Sequence, residues 1–507
     1  MARQPKRAKT SEPEPAAGAT SEPDADAAKR PARLFSDLAS HSDDAGAPRL
    51  LASLVAARKP KVFNDAIHGH LEIHAVCVAV VDSPEFQRLR KLKQLGPTEY
   101  VFPAAGHTRF SHSLGVSFLA GQFVERLAEQ RNPPLNITPS DILCVKLAGL
   151  CHDLGHGPLS HTYEAFVKRA RKGEKIAWQH EHASAALFRR VVDREGLLDG
   201  VFGAHGLVEQ DVKFVQELIF GAPGDAPPGW VWAGRGADKA FLYEIVANHR
   251  NGIDVDKFDY FRRDAYHLNI PVSFDCDRLI MHARAIRAPA GAWTVAYAEK
   301  EVWNVYELFR TRFNLHKRAY QHRVTHAVES MLCDSLLAAE RGGFRLRGGV
   351  KPSRAMEDLD AYVSLTDFVF DAIKAQAFND PKLKEAAALI DRVETRRLYV
   401  HAGEVVVPAR GHELVATDDT DILEGIARCC DDAALRARLR EEAFVDKFSI
   451  NFGMKLRNPV EETIFYLRND DAIGRQIKRE QVSCFAPSQF CEWYLRLYVR
   501  SRDDELC

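Results

Sequence analysis

The segment Leu150-Cys151-His152-Asp153-Leu154-Gly155-His156-Gly157-Pro158 says more about the architecture of this chain than any other segment of its length. Adjacent His and Asp residues stand at the end of the apolar run 142–150, and two glycines and a proline then interrupt it. Unpaired buried charge is costly, so a helix that ends on ionisable groups is a poor core element. Such a helix can instead hold a metal ion. Imidazole and carboxylate suit Zn, Fe, Mn or Ni and leave the choice among them open.

The composition is typical of a globular protein without a strong overall field. The chain has 507 residues, of which 46% are hydrophobic and 27% charged, and its net charge is −1. This length suffices for two or more ordinary domains or for one large catalytic unit. A net charge so close to zero selects neither nucleic acid nor membrane as a partner, so any site for a polyanion must be local.

The sequence shows neither a membrane-spanning segment nor a secretion signal. No apolar run is long enough to cross a bilayer, and no secretory apolar region follows Met1. The ten cysteines are scattered, and none forms a CxxC pair. We therefore expect reduced thiols, no membrane association, and a nuclear and/or cytoplasmic location.

Residues 1–48 are predicted to form a disordered N-terminal tail. They are rich in Ala, Pro, Ser, Glu, Asp and Lys, so they cannot bury enough apolar surface to offset the entropy of ordering. The basic clusters 5–9 and 29–33 are candidate nuclear import signals, and a solubilising tail with incidental charge is the alternative. Residues 49–340 are predicted to form the catalytic core, with its metal motifs in 107–265, and residues 341–507 a C-terminal α+β lobe.

Helix-like spacing of apolar residues dominates from Val62 onward, so the predicted fold class is mainly α. The clearest examples are Phe86-Leu89-Leu92, Leu114-Phe118-Leu119, Ile142-Val145-Leu150 and Val302-Tyr306-Phe309. The Pro- and Gly-rich residues 221–238 predict a surface loop, and residues 342–351 predict a turn between short strands. A minor β component is predicted at Val405-Val406-Val407 and Thr463-Ile464-Phe465-Tyr466.

Four side chains can be assembled into a metal site. His112 lies in the segment 109–115, His152 and Asp153 in 150–158, and Asp256 in 251–260, so three helices must converge. Each piece alone is a weak indication, because a lone His-Asp pair is more often a surface or hydrogen-bonded pair. Two His and two Asp together can leave coordination positions open for water and substrate.

Two helical faces carry further polar groups. Asp256, Tyr260 and Asp264 follow one another at i, i+4 and i+8, and Lys257 flanks them. With apolar neighbours, this face suits a ligand cleft, and a solvated charged face is the alternative.

The second face has Arg312, His316 and Tyr320 at the same spacing. Its guanidinium offers a fork for phosphate, and its His and Tyr can hydrogen-bond or stack on a base and sugar. An interface helix is the alternative for this face.

Long motifs resemble the HD-domain phosphohydrolases and, within them, the deoxynucleoside triphosphate (dNTP) triphosphohydrolases. The matching segments are 61–70, 86–90, 94–96, 100–103, 152–161 and 251–260. The resemblance runs from about Lys61 to about Arg500. It implies an HD-domain helical fold with a small α+β C-terminal part. A sterile-alpha-motif domain found in this family has no expected counterpart here, because the N-terminal tail is too short and too polar.

The resemblance implies the reaction of dNTP with water to give deoxynucleoside and triphosphate. The metal ligands would be His112, His152, Asp153 and Asp256, binding Zn, Fe or Mn, with Mg as a second ion bridging phosphates. The triphosphate would be held by Arg109, Lys257 and Arg312. The sugar 3′-OH would be read by Gln94, Tyr260 and Asp264, next to Leu95. The ribose 2′ position would be crowded by Tyr320, and the base would be met by His316 and Gln321.

The implied proton-handling groups are histidines. His161 would be the general acid to the leaving 5′-oxygen, with His156 near the phosphate and His180 as a further catalytic residue. A His near neutrality is a suitable proton donor. Glu164 stands where the family has an Asp that supports His161, so an extra methylene displaces its charge.

The resemblance also implies allosteric activation, in which GTP or dGTP and dNTPs bind between subunits and turn dimers into tetramers, partly through the C-terminal lobe. The implied guanine-nucleotide site comprises Lys61, Val62, Asp82, Gln87 and Arg90. The implied adjoining dNTP site comprises Asn64, Arg278, Lys300, Asn304, His322 and Arg323, with Arg500 as a further cation. Ala298 replaces a family Arg that faces the second nucleotide, and residues 401–440 match poorly. Activation could therefore be weaker, differently selective or partly constitutive.

Two cysteines linked to redox control in the family are replaced by Ile286 and Ala296, so we expect no such switch. Two other functions stay open. One is an HD phosphohydrolase acting on another nucleotide or a phosphodiester, against which Tyr320 and Gln94 argue. The other is a single-stranded nucleic-acid binder that uses the same basic interfaces, which leaves the metal ligands without a use. Lowering of cellular dNTP pools is the role that the resemblance implies.

Overall fold

Helices dominate the computed structural model, which describes residues 59–131, 134–174, 179–221, 231–289, 291–407, 415–467 and 470–501. The predicted tail 1–48, with its two basic clusters, lies outside these residues. The mainly α fold class with a small α+β part is confirmed. The boundary at residue 340 between core and lobe stays a prediction.

The α-helices up to residue 341 are α1 (Ala75–Val81), α2 (Pro84–Gln87), α3 (Arg109–Ala128), α4 (Pro139–Cys151), α5 (His161–Ala170), α6 (His180–Arg194), α7 (Glu209–Phe220), α8 (Val255–Leu268), α9 (Cys276–Met281), α10 (Val302–Leu315) and α11 (Arg323–Arg341). Those that follow are α12 (Leu359–Ser364), α13 (Val369–Ala377), α14 (Lys384–Glu394), α15 (Asp419–Arg428), α16 (Ala433–Glu442) and α17 (Arg479–Val482). Short 3₁₀ or π turns cover Arg88–Lys91, Gly96–Tyr100, Leu198–Phe202, Ala237–Glu244, Glu299–Glu301, His316–Tyr320, Arg347–Gly349, Pro352–Glu357 and Pro381–Leu383.

The strands form three small sheets. The strands are β1 (Lys61–Asp65), β2 (Gly69–Ile73), β3 (Ala283–Arg287), β4 (Trp293–Ala298), β5 (Val400–Val407), β6 (Ala443–Asn451), β7 (Ile464–Leu467), β8 (Asp470–Arg475) and β9 (Cys491–Val499). β1 and β2 form an antiparallel hairpin, and a four-stranded sheet has the order β3-β4-β7-β8, in which β4 and β7 run parallel. The third sheet is antiparallel, in the order β5-β9-β6.

Two of the three helices that position the predicted metal ligands, α4 and α8, begin at side-chain caps. α4 starts with a capping box between Thr138 and Asp141, with Pro139 as its first residue. α8 starts at Asp254, whose carboxylate accepts from the backbone N–H of Lys257, and it stops at Asn269 in the left-handed conformation. These caps set the start of each helix and therefore the face on which its ligands stand.

Helix α3 is the scaffold of the site, because it packs against both α4 and α8. Gly149 allows α4 to approach closely, since a Cβ there would lie 3.1 Å from the Cβ of Ala120. Leu147, Leu150 and Phe258 are fully buried around this contact. Their burial stabilises the convergence of the three helices by roughly 1.5–3 kcal/mol per large side chain.

Two local predictions need correction. The turn at 342–351 is not flanked by strands, because α11 runs up to Arg341 and 3₁₀ turns follow. Glycines with positive φ at 343, 348 and 349 explain the irregular backbone. The predicted loop 221–238 ends earlier than expected, because a 3₁₀ helix begins at Ala237, while residues 222–230 lie outside the described residues. The strands expected at 405–407 and 463–466 are found in β5 and β7, except at Thr463.

Candidate active site

The four predicted metal ligands meet at one point in the fold. Nε2 of His112, on α3, lies 3.1 Å from Oδ1 of Asp256, on α8, and 3.5 Å from Oδ2 of Asp153. Nε2 of His152, at the end of α4, lies 3.4 Å from Oδ1 of Asp256 and 3.5 Å from Oδ1 of Asp153. The Nε2 atoms of both histidines are buried without a hydrogen-bond partner. A donor set of two imidazoles and two carboxylates with free lone pairs fits a divalent or transition metal.

The other nitrogen of each histidine fixes its orientation. Nδ1–H of His112 donates to Oδ2 of Asp259 at 2.7 Å, and Nδ1–H of His152 donates to the carbonyl of Gly149 at 2.9 Å. Such partners hold the ring in the tautomer that leaves Nε2 free for a metal. Asp256 and Asp259 outweigh the effect of burial and raise the pKa of His112 to about 10, so the carboxylates favour positive charge at this point.

Asp259 is a residue that sequence reasoning missed. Its carboxylate is fully buried and accepts from His112, from Nε2–H of His68 at 2.7 Å, and from the guanidinium of Arg263 at 2.8 and 2.9 Å. Burial alone would raise the pKa of Asp259, but Arg263 and the two histidines hold it well below its usual range. Its positions at i+3 from Asp256 and i−4 from Arg263 were the available signal.

The three cations predicted to hold triphosphate have protein partners in this structure. Arg109 bonds Oδ2 of Asp153 and donates from Nε to Oγ of Ser160 at 2.9 Å. Lys257 pairs with Oδ2 of Asp254 at 2.8 Å. Arg312 donates to the carbonyl of Asn451 at the end of β6. Of these cations, Arg109 directly contacts a metal ligand.

The four predicted proton-handling residues form one cluster beside the metal ligands. Nε2 of His156 lies 3.2 Å from Oδ1 of Asp153, and its ring stacks on that of His180 at 4.0 Å. Oε1 of Glu164 lies 3.2 Å from Nδ1 of His180 and 3.4 Å from Nδ1 of His161. Glu164 therefore reaches both histidines in spite of its extra methylene.

The members of this cluster differ in the direction of their pKa shifts and in their exposure. Burial would raise the pKa of Glu164, but hydrogen bonds from His161 and His180 lower it far below its usual range. Burial and the neighbouring Arg109 lower the pKa of His156 well below its usual range. The side chain of His161 is 75% exposed. His161 is therefore the member of the cluster whose side chain is most accessible to a ligand or to water.

The residues predicted to bind sugar and base lie on three segments, which are residues 94–95, the helix α8 and residues 316–321. The hydroxyl of Tyr320 donates to Oδ2 of Asp264 at 2.5 Å, and the rings of His316 and Tyr320 are 4.9 Å apart. The ring of Tyr260 lies 6.4 Å from that of His112, which connects this side to the metal ligands.

The helical stripe predicted for Arg312, His316 and Tyr320 is only partly regular, because α10 ends at Leu315 and a π turn covers His316–Tyr320. Nδ1 of His316 and the side-chain oxygens of Gln94 and Gln321 are buried without hydrogen-bond partners. Leu95 packs against the main core.

Residues predicted to bind guanine nucleotide lie together near the β1–β2 hairpin. Nζ of Lys61 pairs with Asp82 at 2.8 Å. Nε of Arg90 donates to Oε1 of Gln87 at 2.8 Å, and the amide of Gln87 donates to the carbonyl of the residue before Asp82. Val62 is 65% exposed. The structure thus brings four polar residues of this set into one accessible cluster.

The residues predicted for the adjoining dNTP site are more dispersed. Arg278 and Asn304 meet at Glu301, next to Lys300. In the described part of the chain, no hydrogen bond or ion pair joins this group to the others, which are Asn64, His322, Arg323 and Arg500. Ala298 is buried at the end of β4, and it packs with Ala296 and Ile286 in one small apolar cluster.

Within the described residues, no helix is both long and apolar enough to cross a membrane.

Comparison with known proteins places these features in a family context. The sequence model of the HD domain matches residues 109–264, a span that contains all four predicted metal ligands. Over 458 residues, the chain is 42% identical to the deoxynucleoside triphosphate triphosphohydrolase SAMHD1 of Gallus gallus, covering 87% of this chain and 72% of that protein.

Two further relatives extend this similarity. The SAMHD1 enzyme of Homo sapiens is 40% identical over 456 residues, covering 87% of this chain and 71% of that protein. The SAMHD1 homolog of Dictyostelium discoideum is 34% identical over 446 residues, covering 88% and 78%.

Proposed function

This chain belongs to the family of SAMHD1 deoxynucleoside triphosphate triphosphohydrolases, and we propose that it hydrolyses dNTPs to deoxynucleoside and inorganic triphosphate. One observation carries the proposal. Buried polar atoms without partners lie on the segments that meet at the candidate site: Nε2 of His112 and His152, Nδ1 of His316, and the side-chain oxygens of Gln94 and Gln321. Buried polar atoms are normally paired, so this grouping indicates the place of a polar ligand.

The proposed metal is held by His112, His152, Asp153 and Asp256. A Zn, Fe or Mn ion held there would supply Lewis-acid stabilisation of the charge that develops at the α-phosphoryl group, and Mg is proposed as a second ion. The role of this chain is to keep both imidazole rings oriented, through the carboxylate of Asp259 and the carbonyl behind His152.

Three cations of the chain are proposed to take the triphosphate. Arg109, Lys257 and Arg312 would exchange their present partners, two carboxylates and a carbonyl, for phosphate oxygens, to which they can make charge-assisted hydrogen bonds. Charge that develops on the α-phosphoryl oxygens would be stabilised by the same groups.

The leaving group needs a proton when the bond between the α-phosphorus and the 5′-oxygen breaks. We assign this proton to His161, which is exposed and lies 3.4 Å from Glu164. Glu164 would hold the imidazole oriented, together with His180 and with His156 near the phosphate. Water supplies the new oxygen on phosphorus, so the products are deoxynucleoside and triphosphate.

The deoxyribose is proposed to lie between Tyr320 and the α8 face. Asp264, Tyr260 and Gln94 would meet the 3′-OH, and Tyr320 would stand against C2′ and exclude a 2′-OH. His316 and Gln321, whose polar atoms are free, would face the base.

The proposal is tested by product analysis. Purified protein is incubated with each dNTP, alone and with GTP or dGTP, and we expect equimolar deoxynucleoside and tripolyphosphate. Changing both His152 and Asp153 to Ala should remove this turnover and the bound metal, measured by mass spectrometry of the metal content. The proposal would be contradicted if no combination of dNTP and activator gave tripolyphosphate. The alternative function, binding of single-stranded nucleic acid, would be favoured by a different result. In that case the wild type shows no turnover, and both it and the His152→Ala/Asp153→Ala variant bind single-stranded nucleic acid.

Control by nucleotides is the second part of the proposal. We propose that GTP or dGTP binds at the cluster of Lys61, Asp82, Gln87 and Arg90, because a carboxylate can accept from guanine N1 and N2 while Arg takes phosphate. A dNTP in the adjoining site would then assemble dimers into tetramers. Ala298 removes one cation from that site, so activation by the second nucleotide is expected to be weaker, differently selective or partly constitutive.

Sedimentation velocity with and without nucleotides tests this control. The wild-type protein should sediment as a dimer alone and as a tetramer with dGTP, while Asp82→Asn should stay dimeric. A sedimentation coefficient that no nucleotide changes would contradict allosteric assembly and leave the hydrolysis proposal untouched.

The cellular role that follows is the lowering of dNTP pools, in the nucleus and/or the cytoplasm. Fusion of residues 1–48 to a fluorescent protein would test the two basic clusters, and a fusion that stays evenly distributed would exclude nuclear import by them.

A further inference from the structure

His107 is a buried histidine for which the metal and phosphate chemistry has no use. It lies in the loop before α3, and its side chain is only 4% exposed. Its Nε2 lies 2.7 Å from Oδ1 of Asp264, and a carboxylate can only accept, so His107 is the donor. Nδ1 of His107 is buried without a partner, and its ring stacks on that of His267 at 4.2 Å, with 8° between the planes.

With His107, both oxygens of the Asp264 carboxylate accept a hydrogen bond from the protein. The hydroxyl of Tyr320 donates to Oδ2 and His107 donates to Oδ1, so each oxygen receives one hydrogen bond from a different segment. These two donors prevent rotation of the carboxylate about its last torsion angle. Each oxygen keeps a second lone pair, which can accept a hydrogen bond from a ligand hydroxyl.

The backbone of His107 fixes a second residue of the same pocket. Its carbonyl accepts from the N–H of Gln94 at 2.9 Å, and the neighbouring Lys93 and Thr108 form a β-bridge. The stacked ring of His267 is itself held by the carbonyl of Ala104. His107 therefore connects the segment of Gln94 to the α8 face through both its backbone and its side chain.

We propose that His107 is a positioning residue that aims the Asp264 carboxylate at the 3′-hydroxyl of the substrate. This rests on the proposed function, in which Asp264 meets that hydroxyl. His107 does not touch the substrate; it acts by presenting the free lone pair of Asp264 in one direction. Recognition of the 3′-hydroxyl then depends on His107, although His107 itself does not contact the substrate.

The test compares a dNTP with the 2′,3′-dideoxynucleotide of the same base, at saturating activators. The wild type should favour the dNTP in kcat/KM. His107→Ala should lower kcat/KM for the dNTP about 10- to 100-fold and leave that for the dideoxynucleotide within about threefold, since one charge-assisted hydrogen bond is lost. His107→Gln, whose amide nitrogen can reach the position of Nε2, should restore most of the preference.

A matched control is His249→Ala, which removes a part-buried histidine whose Nε2 lies 3.0 Å from the carbonyl oxygen of Phe220 and which has no role in the proposed reaction. This variant should keep the wild-type preference. Equal losses on both substrates in His107→Ala, or no rescue by Gln, would assign His107 a merely structural role and overturn the proposal. A wild type that does not distinguish the two substrates overturns it as well. A wild type that hydrolyses no dNTP overturns the proposed function itself, which separates the two failures.

Discussion

Among single residues, Gly115 is as necessary to the site as the ligands themselves. It lies on α3 one turn after His112, where α8 crosses. A Cβ at this position would lie 1.9 Å from Oδ1 of Asp259 and 2.6 Å from Nη2 of Arg263. Both of those atoms belong to the buried network that orients His112, so a shift of either one would disturb the orientation of that ring.

Gly115→Ala should therefore destabilise the protein and weaken metal binding. We expect a loss of about 2 kcal/mol or more in the free energy of unfolding, because overpacking displaces a buried ion pair. Urea unfolding and metal content by mass spectrometry would measure both effects.

The matched control is Gly121→Ala, on the same helix. Its Cβ would meet only the flexible side chain of Lys146, so the change should stay within about 1 kcal/mol, helped by the helix propensity of Ala. Equal effects of the two substitutions would show that the approach of α8 to α3 does not depend on Gly115.

Among elements, the irregular loop between α4 and α5 depends on groups outside itself. Leu159 and Ser160 have positive φ, and the loop contains no regular hydrogen-bond ladder. Its carbonyls are held by Arg88, which donates to Leu154 at 3.2 Å and to His156 at 2.8 Å, and by the hydroxyl of Tyr362, which donates to Gly155. The loop that carries His156 and leads to His161 is thus shaped by distant segments.

Arg88→Met should keep the apolar packing of the side chain while removing its hydrogen bonds. We expect kcat to fall more than tenfold, because His156 loses its backbone anchor, and we expect thermal unfolding at a lower temperature. Arg189→Met is the control: this arginine is partly exposed and pairs with the exposed carboxylates of Asp193 and Glu209, so its loss should change the free energy of unfolding by less than about 1 kcal/mol. Unchanged kcat in Arg88→Met would mean that the loop keeps its shape without this anchor.

Across the whole molecule, the C-terminal segments are fastened to the catalytic core by polar contacts of long range. Nδ1 of His326, on α11, lies 2.6 Å from Asp446 on β6, and the hydroxyl of Tyr498 donates to the carbonyl of Arg323. Asp367 accepts from the N–H of Leu159 at 2.7 Å and from that of Lys93 at 2.8 Å. One carboxylate therefore links the segment before α13 to two segments that border the candidate active site.

Asp367 makes the stability of the whole molecule depend on pH. Burial raises the pKa of Asp367 to about 6, against the lowering effect of its two N–H donors. A carboxyl whose pKa is higher in the folded state stabilises fully at low pH, and this contribution is lost as pH rises through 6.

The difference in unfolding free energy between wild type and Asp367→Asn should therefore fall by roughly 3 kcal/mol between pH 4 and pH 7.5. Urea unfolding of both proteins across this range measures it. A difference that stays constant or grows with pH would contradict the assignment.

The amino-acid sequence was sufficient to predict which residue types form the candidate site and which helical faces carry them. His112, His152, Asp153 and Asp256 were identifiable because residue type limits metal ligation. The helix spacing that places Asp256 and Asp264 on one face of α8 is a local property of the backbone. The caps that start α4 and α8 are local as well, and for that reason they too can be read from a few neighbouring residues.

The tertiary structure was needed for the residues that orient this chemistry. Asp259 meets His68 across 191 positions, His107 meets Asp264 across 157, and Asp367 meets Leu159 across 208. Such pairs depend on how helices pack against one another, and neither periodicity nor residue type specifies that packing. The π turn at His316–Tyr320 is a further example, since its sequence continues the helical spacing of α10 while its backbone does not.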